Sequence, residues 1–187
     1  MKVLLIGKGG QIASEFESLK KGDNDWTFLS RDDLDITINE DVLSYFRLQP
    51  YQLVINCSGF TSVDKAEDMK KEAYNVNLEG VKNLVQACKE FKCKLIHYST
   101  DYVFDGESKT PYKETDLTSP INVYGKSKQA GEKTILNSDI RSLIIRSSWV
   151  YSCFCNNFLC DHVNERLENE FNKTQLITGM PSKIQKP

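Results

Sequence analysis

The sequence predicts an α/β fold with a doubly wound, mostly parallel sheet. Short apolar runs alternate along the chain with longer amphipathic stretches, and its 187 residues suffice for one domain with a sizeable core. Runs of this length are typical of strands buried on both faces. The predicted strands are KVLLIG (2–7), WTFLS (26–30), LVINCSG (53–59), KLIHYST (94–100) and SLIIRSSWVY (142–151).

Helical spacing of apolar residues marks the segments between these runs. The predicted helices are QIASEFESLKK (11–21), NEDVLSYFRLQ (39–49), EAYNVNLEGVKNLVQACKEF (72–91) and YGKSKQAGEKTIL (124–136). Strand–helix alternation favours parallel strands joined by right-handed crossovers. The long loop 101–122 follows the carboxyl end of the fourth strand, which is where open α/β sheets bind ligands.

Composition argues against several classes of partner. The chain carries 24 Lys and Arg against 26 Asp and Glu, for a net charge of -2, so it offers no basic face for nucleic acid. The apolar N-terminal run is too short to span a membrane and leads to glycines rather than a cleavage site, so we expect a cytoplasmic protein without a membrane partner. Six cysteines without a secretion signal predict reduced thiols, with Cys57 and Cys88 as small core residues.

A glycine turn, GKGGQIA, follows the first strand and opens the first helix. Gly7 permits the tight turn, Gly10 lets a pyrophosphate approach the backbone, and Ala13 lets the helix pack on the sheet. The helix N-terminus favours the negative charge of the ligand. This arrangement predicts a Rossmann-type NAD(P)-binding domain, against the alternative of a merely structural turn.

Arg31 follows the second strand, where the adenosine ribose of such a cofactor should lie. A cation there suits a 2′-phosphate and favours NADPH. The alternatives are that Arg31 is a solvated loop charge, or that Asp32 and Asp33 accept hydrogen bonds from the free ribose of NADH.

Tyr124 and Lys128 lie four residues apart and share one face of the last predicted helix. A nearby ammonium favours the phenolate of a tyrosine, which is otherwise a poor acid–base catalyst at neutral pH. Ser99 and Thr100 end the fourth strand, where a hydroxyl can polarise a carbonyl. Together with the glycine turn, these are the parts that a ketone reductase needs.

The segment WVYSCFCNNFLCDHV (149–163) contains three cysteines and a histidine that resemble a zinc ligand set. Cys153, Cys155, Cys160 and His162 lack the paired C-x2-C knuckles of structural zinc sites, and part of the segment is a probable helix on which the ligands would splay. We therefore predict no metal site here.

The sequence resembles the extended short-chain dehydrogenase/reductases, and within them the reductases of dTDP-4-keto sugars. The similar segments span most of residues 1–158 in the order of the family: GKGGQIA, VINCSGFTSVDKAE, HYSTDYVFDG, ETDLTSPINVYGKSKQAGEK and IIRSSWVYS. The resemblance implies reduction of the 4-keto group of a dTDP-6-deoxy-hexulose by NADPH or NADH, giving dTDP-L-rhamnose. It makes a nucleotide sugar the expected small-molecule partner.

The resemblance also implies roles for individual residues. Tyr124 would protonate the new alkoxide, Lys128 would bind the nicotinamide ribose and lower the pKa of Tyr124, and Thr100 would orient the keto oxygen. The other implied cofactor contacts are Gly10, Gln11 and Ile12 at the pyrophosphate, Asp35 and Ile36 at the adenine, and Ser58, Gly59 and Phe60 after the third strand. Asp101 and Trp149 would contact the sugar nucleotide.

Two departures from the family matter for function. Phe60 stands where a polar residue is usual, and the similarity ends after Asn156, Asn157 and Phe158. We expect a dinucleotide-binding and catalytic domain over 1–158 and a divergent polar tail over 159–187, with the substrate lobe missing or truncated and the activity reduced. The alternative is a non-catalytic NADP-binding or regulatory subunit of the same fold. The family also allows a homodimer and an Mg²⁺ ion between subunits.

Overall fold

The computed structural model describes residues 1–19, 25–152 and 154, and the described strands form one parallel five-stranded sheet. The strands are β1 (Lys2–Ile6), β2 (Asp25–Leu29), β3 (Leu53–Asn56), β4 (Lys94–Thr100) and β5 (Ser142–Ser147). Their order across the sheet is β2-β1-β3-β4-β5, and each neighbouring pair is parallel. The predicted doubly wound α/β fold is confirmed.

Two predicted strands end earlier than expected. β3 ends at Asn56 because its side chain turns the chain: Oδ1 accepts hydrogen bonds from the backbone N of Ser58 at 3.0 Å and from its Oγ at 2.6 Å. β5 ends at Ser147, so the segment from Ser148 to Tyr151 follows the strand instead of extending it.

The helices lie where the apolar spacing predicts them, with two differences. They are α1 (Gln11–Leu19), α2 (Asn39–Leu48), α3 (Val63–Asp68), α4 (Lys70–Tyr74), α5 (Gly80–Glu90) and α6 (Val123–Leu136). The single helix predicted over 72–91 consists of α4 and α5 joined by a π-helical turn, Asn75–Glu79. The short α3 was not predicted.

The core lies on both faces of the sheet, as the apolar runs of the strands require. Leu4 and Ile6 of β1 face the larger cluster, which α2 and α5 cover with residues such as Phe46 and Leu84. Val3 and Leu5 face the opposite cluster, to which α1 contributes Ala13. Within the described part of the chain, no helix has both the length and the apolar character that crossing a bilayer requires.

The strand order positions a ligand site. The chain leaves β1 toward β2 on one side and returns to β3 on the other, so the crossovers reverse direction between β1 and β3. Ligands of open α/β sheets bind outside the carboxyl ends of the strands at this reversal. The glycine turn after β1 and the turn after β3 flank it.

Candidate active site

A cleft of about 460 Å³ opens at the carboxyl ends of β1, β3, β4 and β5. Its walls are the glycine turn, the turn after β3, the end of β4, the start of α6 and the segment after β5. The predicted site residues that line it are Gly10, Gln11, Ile12, Ser58, Gly59, Thr100, Asp101, Tyr124, Lys128 and Trp149. Residues as distant in the sequence as Gly10 and Trp149 therefore line one cavity.

The glycine turn packs directly against the turn after β3. Gly7 has a φ of +107°, and a β-carbon there would lie 2.7 Å from the backbone N of Ser58. Gly9 has a φ of +91°, but a β-carbon there would meet no atom within 4 Å. α1 then begins at Gln11, and the first backbone N–H groups of a helix have no intrahelical partner. Gly7 thus lets the glycine turn contact the turn after β3, and it does not itself line the cleft.

Asn77 ties the turn after β3 to α6. Its Oδ1 accepts a hydrogen bond from the backbone N of Phe60 at 2.9 Å, and its Nδ2 donates to the Phe60 carbonyl at 3.1 Å and to Ser127 Oγ at 2.9 Å. A β-carbon at Gly131 would meet the carbonyl of Asn77, so α6 can approach this closely only with glycine there. The π-helical turn therefore fixes the distance between the turn after β3 and α6, the helix that carries Tyr124.

Phe60 does not line the cleft, contrary to the expectation from the resemblance. Its side chain packs against the buried cluster of Ala66, Ala73, Val123 and Tyr124. Its backbone is instead the part that Asn77 holds. An apolar side chain gains more from this cluster than from a polar cleft wall.

Tyr124 is buried at the start of α6, next to the end of β4. Asn122 caps the helix by accepting a hydrogen bond from the backbone N of Gly125 at 2.7 Å. A β-carbon at Gly125 would meet the Tyr102 carbonyl, so glycine lets the helix start close to the 3₁₀ turn Asp101–Val103. The Tyr102 and Tyr124 rings meet edge to face, with centroids 5.7 Å apart.

Burial raises the pKa of Tyr124 above its ordinary value, and the nearby Asp101 charge adds to that rise. A hydrogen bond with the Thr100 side chain lowers the pKa in part. In the protein alone the net pKa of Tyr124 is raised, because burial outweighs the groups that favour the phenolate. The phenol therefore keeps its proton at neutral pH. The lowering of this pKa by Lys128 that the resemblance implies stays a prediction.

Lys128 is buried in the cleft wall, and its Nζ donates a hydrogen bond to the Tyr98 carbonyl at 2.7 Å. Burial lowers the pKa of Lys128 from its ordinary 10.5 to about 8, while the negative charge of Glu132 counteracts part of that fall. At neutral pH the ammonium is thus the predominant form, although the pKa of Lys128 lies closer to neutral pH than that of an exposed lysine.

Ser99 and His97 add polar atoms to the interior near this lysine. Ser99 Oγ is buried, lines the cleft and has no hydrogen-bond partner in the structure. His97 Nδ1 lies 3.0 Å from Asn56 Nδ2, and burial, with a contribution from the Lys128 charge, holds the pKa of His97 well below its ordinary value. His97 is therefore neutral.

Arg31 and Asp35 lie apart from this cleft, in a second cleft of about 360 Å³ beyond the end of β2. Arg31 Nη2 lies 3.3 Å from Asp35 Oδ2, and the arginine side chain is 76% exposed. Asp33 is engaged with Ser30, whose backbone N and Oγ both donate to its carboxylate. Ile36, the expected adenine contact, is buried in the core instead.

Several cleft residues were not predicted from the sequence. They are Cys57, Thr61, Val63, Tyr98, Tyr102, Ser147, Ser148 and Val150, whereas Ser99 lines the cleft beside Thr100 as predicted. Ser147 and Ser148 end an apolar strand and could have been found by the same rule that found Thr100. Cys57 is half-buried: it packs against the smaller core cluster and also lines the cleft, whereas Cys88 is buried as predicted.

Metal ligands are absent from the described residues: no group of three or more His, Cys, Asp or Glu side chains is placed to hold an ion in that part of the chain. The cysteines and histidine considered for zinc, Cys153, Cys155, Cys160 and His162, lie outside the described residues. The boundary predicted after residue 158 lies outside them as well.

The parallel sheet, the glycine turn at its reversal point and the tyrosine–lysine helix beside it define a protein of the short-chain dehydrogenase/reductase class. Comparison with known families agrees with that class. The family model described as the RmlD substrate binding domain matches residues 1–177, and the chain belongs to this family.

The similar proteins and solved structures bear related names. The chain is 38% identical over 159 residues to a dTDP-4-dehydrorhamnose reductase of Sinorhizobium fredii, covering 85% of this chain and 54% of that protein. It is 39% identical over 162 residues to the enzyme of that name from Escherichia coli, covering 84% and 54%. The chain thus spans about half the length of the curated relatives it matches.

Two solved structures of dTDP-4-dehydrorhamnose reductases share the fold. The Clostridium acetobutylicum protein gives a TM-score of 0.87 at 36% identity, covering 90% of this chain and 60% of its own. The Bacillus anthracis protein, solved in complex with NADP, gives 0.87 at 32% identity, covering 89% and 60%.

Proposed function

We propose that this chain binds NADPH or NADH in the main cleft and serves the reduction of the 4-keto group of a dTDP-6-deoxy-hexulose to dTDP-L-rhamnose. The observation that carries the proposal is the convergence of Thr100, Tyr124 and Lys128 with the glycine turn in one cleft. The names of the relatives support the reaction, and the NADP complex of one of them supports the cofactor. The proposal assigns the dinucleotide-binding and catalytic domain to 1–158.

The cleft fits a dinucleotide. The open turn at Gly9, the absence of a β-carbon at Gly10 and the N-terminal end of α1 leave room and backbone donors for a pyrophosphate. The unpartnered Ser99 Oγ supplies a polar atom farther along the cleft. When bound, the cofactor supplies the hydride.

Tyr124 supplies the proton in this proposal. The Thr100 hydroxyl and the Tyr124 phenol both line the cleft, where they would hold a ketone oxygen between them. Because burial keeps the phenol protonated, it can donate as negative charge develops on that oxygen. An alkoxide is a far stronger base than a phenolate, so the transfer is downhill even with a raised tyrosine pKa.

Lys128 and the cleft mouth hold the ligands. The Lys128 ammonium is anchored by the Tyr98 carbonyl and has further N–H donors for a ribose hydroxyl. Trp149 is 59% exposed and lines the cleft together with Asp101, which supports contact of both residues with the sugar nucleotide. A broad exposed indole suits stacking on a flat ring.

A second candidate function is a non-catalytic NADP-binding or regulatory subunit of the same fold. Such a protein would keep the cofactor side of the cleft and lack tight binding of the sugar nucleotide. A homodimer remains a proposal from the resemblance under either function.

Titration of NADPH fluorescence, with and without a dTDP-sugar, tests both candidates. The proposed enzyme binds the cofactor and the sugar, and it oxidises NADPH when a dTDP-4-keto sugar is added. Tyr124→Phe should lower that oxidation by a factor of about 10² to 10⁴, the usual contribution of a general acid, and leave NADPH affinity unchanged. Absence of NADPH binding would refute both candidates, whereas cofactor binding without sugar binding would favour the second.

A further inference from the structure

Glu132 is a buried carboxylate that the proposed chemistry does not use. It is 1% exposed and lies one helical turn after Lys128 on α6, so the two side chains share a face of the helix. Burying a charge is costly unless a partner compensates it. The partner of Glu132 comes from the neighbouring strand.

Arg146 of β5 holds both oxygens of this carboxylate. Its Nε donates to Oε1 at 3.0 Å and its Nη2 donates to Oε2 at 2.7 Å, so the ion pair is bidentate. The Arg146 guanidinium also lies 5.1 Å from the ring centroid of Phe104, in the loop after β4. The carboxylate is therefore fixed relative to both the sheet and the loop.

Stability alone does not account for this pair. Well-packed apolar residues of similar size often replace a buried ion pair without loss of stability. The position of Glu132 next to Lys128 gives the pair a further role, because its negative charge opposes the effect of burial on the lysine. Three other titratable groups lie nearby. Arg146 is a cation that pairs with Glu132 and offsets part of its charge, Cys57 keeps its proton because burial raises its pKa to about 12, and His97 is neutral.

We propose that Glu132 is a positioning residue whose carboxylate, anchored to β5 by Arg146, keeps the Lys128 ammonium charged at the wall of the cleft. The role of that ammonium in holding the cofactor ribose rests on the proposed function. The charge state of Lys128 in the protein alone does not rest on it. Two measurements therefore test the charge state of Lys128 and its role in cofactor binding separately.

The first measurement needs no cofactor. Because the pKa of Lys128 is lower in the folded than in the unfolded chain, unfolding takes up a proton at Lys128 between about pH 8 and about pH 10, and this group contributes a rise in the free energy of unfolding with pH across that window. The raised pKa of Cys57 contributes a fall at the upper end, so the Lys128 contribution is taken as the difference between the wild type and Lys128→Met. In Glu132→Gln the rise should begin about one pH unit lower, the usual size of the effect of a nearby opposite charge. An unchanged onset would overturn the proposal.

The second measurement is NADH binding, chosen because NADH lacks the 2′-phosphate, a group that titrates near pH 6. Relative to the wild type, Glu132→Gln should bind NADH within about twofold at about pH 7 and about tenfold more weakly at about pH 9, since one pKa unit is a tenfold change. If the wild type binds neither NADH nor NADPH, the proposed function fails, while the unfolding measurement still decides the role of Glu132.

A double variant, Glu132→Met with Arg146→Leu, separates charge from packing. It removes the carboxylate and its partner together and fills the space with apolar side chains. Like Glu132→Gln, it should begin the rise in unfolding free energy at a lower pH than the wild type, but not as low as Glu132→Gln, because the Arg146 cation is removed together with the carboxylate. A double variant with the wild-type onset, or a loss of NADH affinity that is equal at both pH values, would show that Glu132 acts through packing and overturn the proposal.

Discussion

Gly7→Ala tests whether the glycine turn is required by contact with the turn after β3. The φ of +107° is unfavourable for alanine and costs about 1–3 kcal/mol wherever it occurs. The new β-carbon would also lie 2.7 Å from Ser58 N and 2.8 Å from the carbonyl carbon of Cys57, and relieving such overlap costs about another 1–3 kcal/mol. We expect a total loss of about 2–6 kcal/mol in the free energy of unfolding, by the sum of these two costs.

Gly9→Ala is the matched control. Gly9 has a similar φ, +91°, but a β-carbon there meets no atom within 4 Å, so only the conformational cost applies. Urea unfolding of both variants measures the difference directly, and NADPH titration shows whether displacement of Ser58 reaches the cleft. Gly7→Ala should be the less stable by about 1–3 kcal/mol and bind NADPH more weakly. Equal losses in the two variants would refute the contact argument and leave backbone strain as the whole effect.

Two further predictions concern the buried polar groups behind the cleft. Lys128→Met should abolish the rise in unfolding free energy that Lys128 contributes between about pH 8 and about pH 10. That contribution is roughly 3 kcal/mol for the fall in the Lys128 pKa from 10.5 to about 8. Urea titrations at several pH values measure it, and the same dependence of unfolding free energy on pH in the wild type and the variant would contradict the buried charge. Asn77→Leu should lower the free energy of unfolding by about 1–3 kcal/mol, because the backbone of Phe60 loses its hydrogen-bond partners. Asn75→Leu on the same turn is the control and should change stability little. Equal effects of the two variants would contradict the bridging role of Asn77.

The sequence by itself determined the fold and about half of the residues that line the cleft. An apolar run such as 94–100 specifies a buried strand locally, and residues at the ends of parallel strands meet at one edge of the sheet. Thr100 could therefore be assigned to the same site as the glycine turn without coordinates. Tyr124 and Lys128 followed from helical spacing, which is also a local property.

Only the tertiary structure decided the properties that depend on contacts between distant segments. The raised pKa of Tyr124 comes from burial and from Asp101, neither of which appears in the helical pattern. The π-helical turn lies against Gly131 of α6, and Phe60 packs on a cluster drawn from three helices. Pairing of Glu132 with Arg146 likewise joins a helix to a strand, because a charge is buried only where the fold brings its partner.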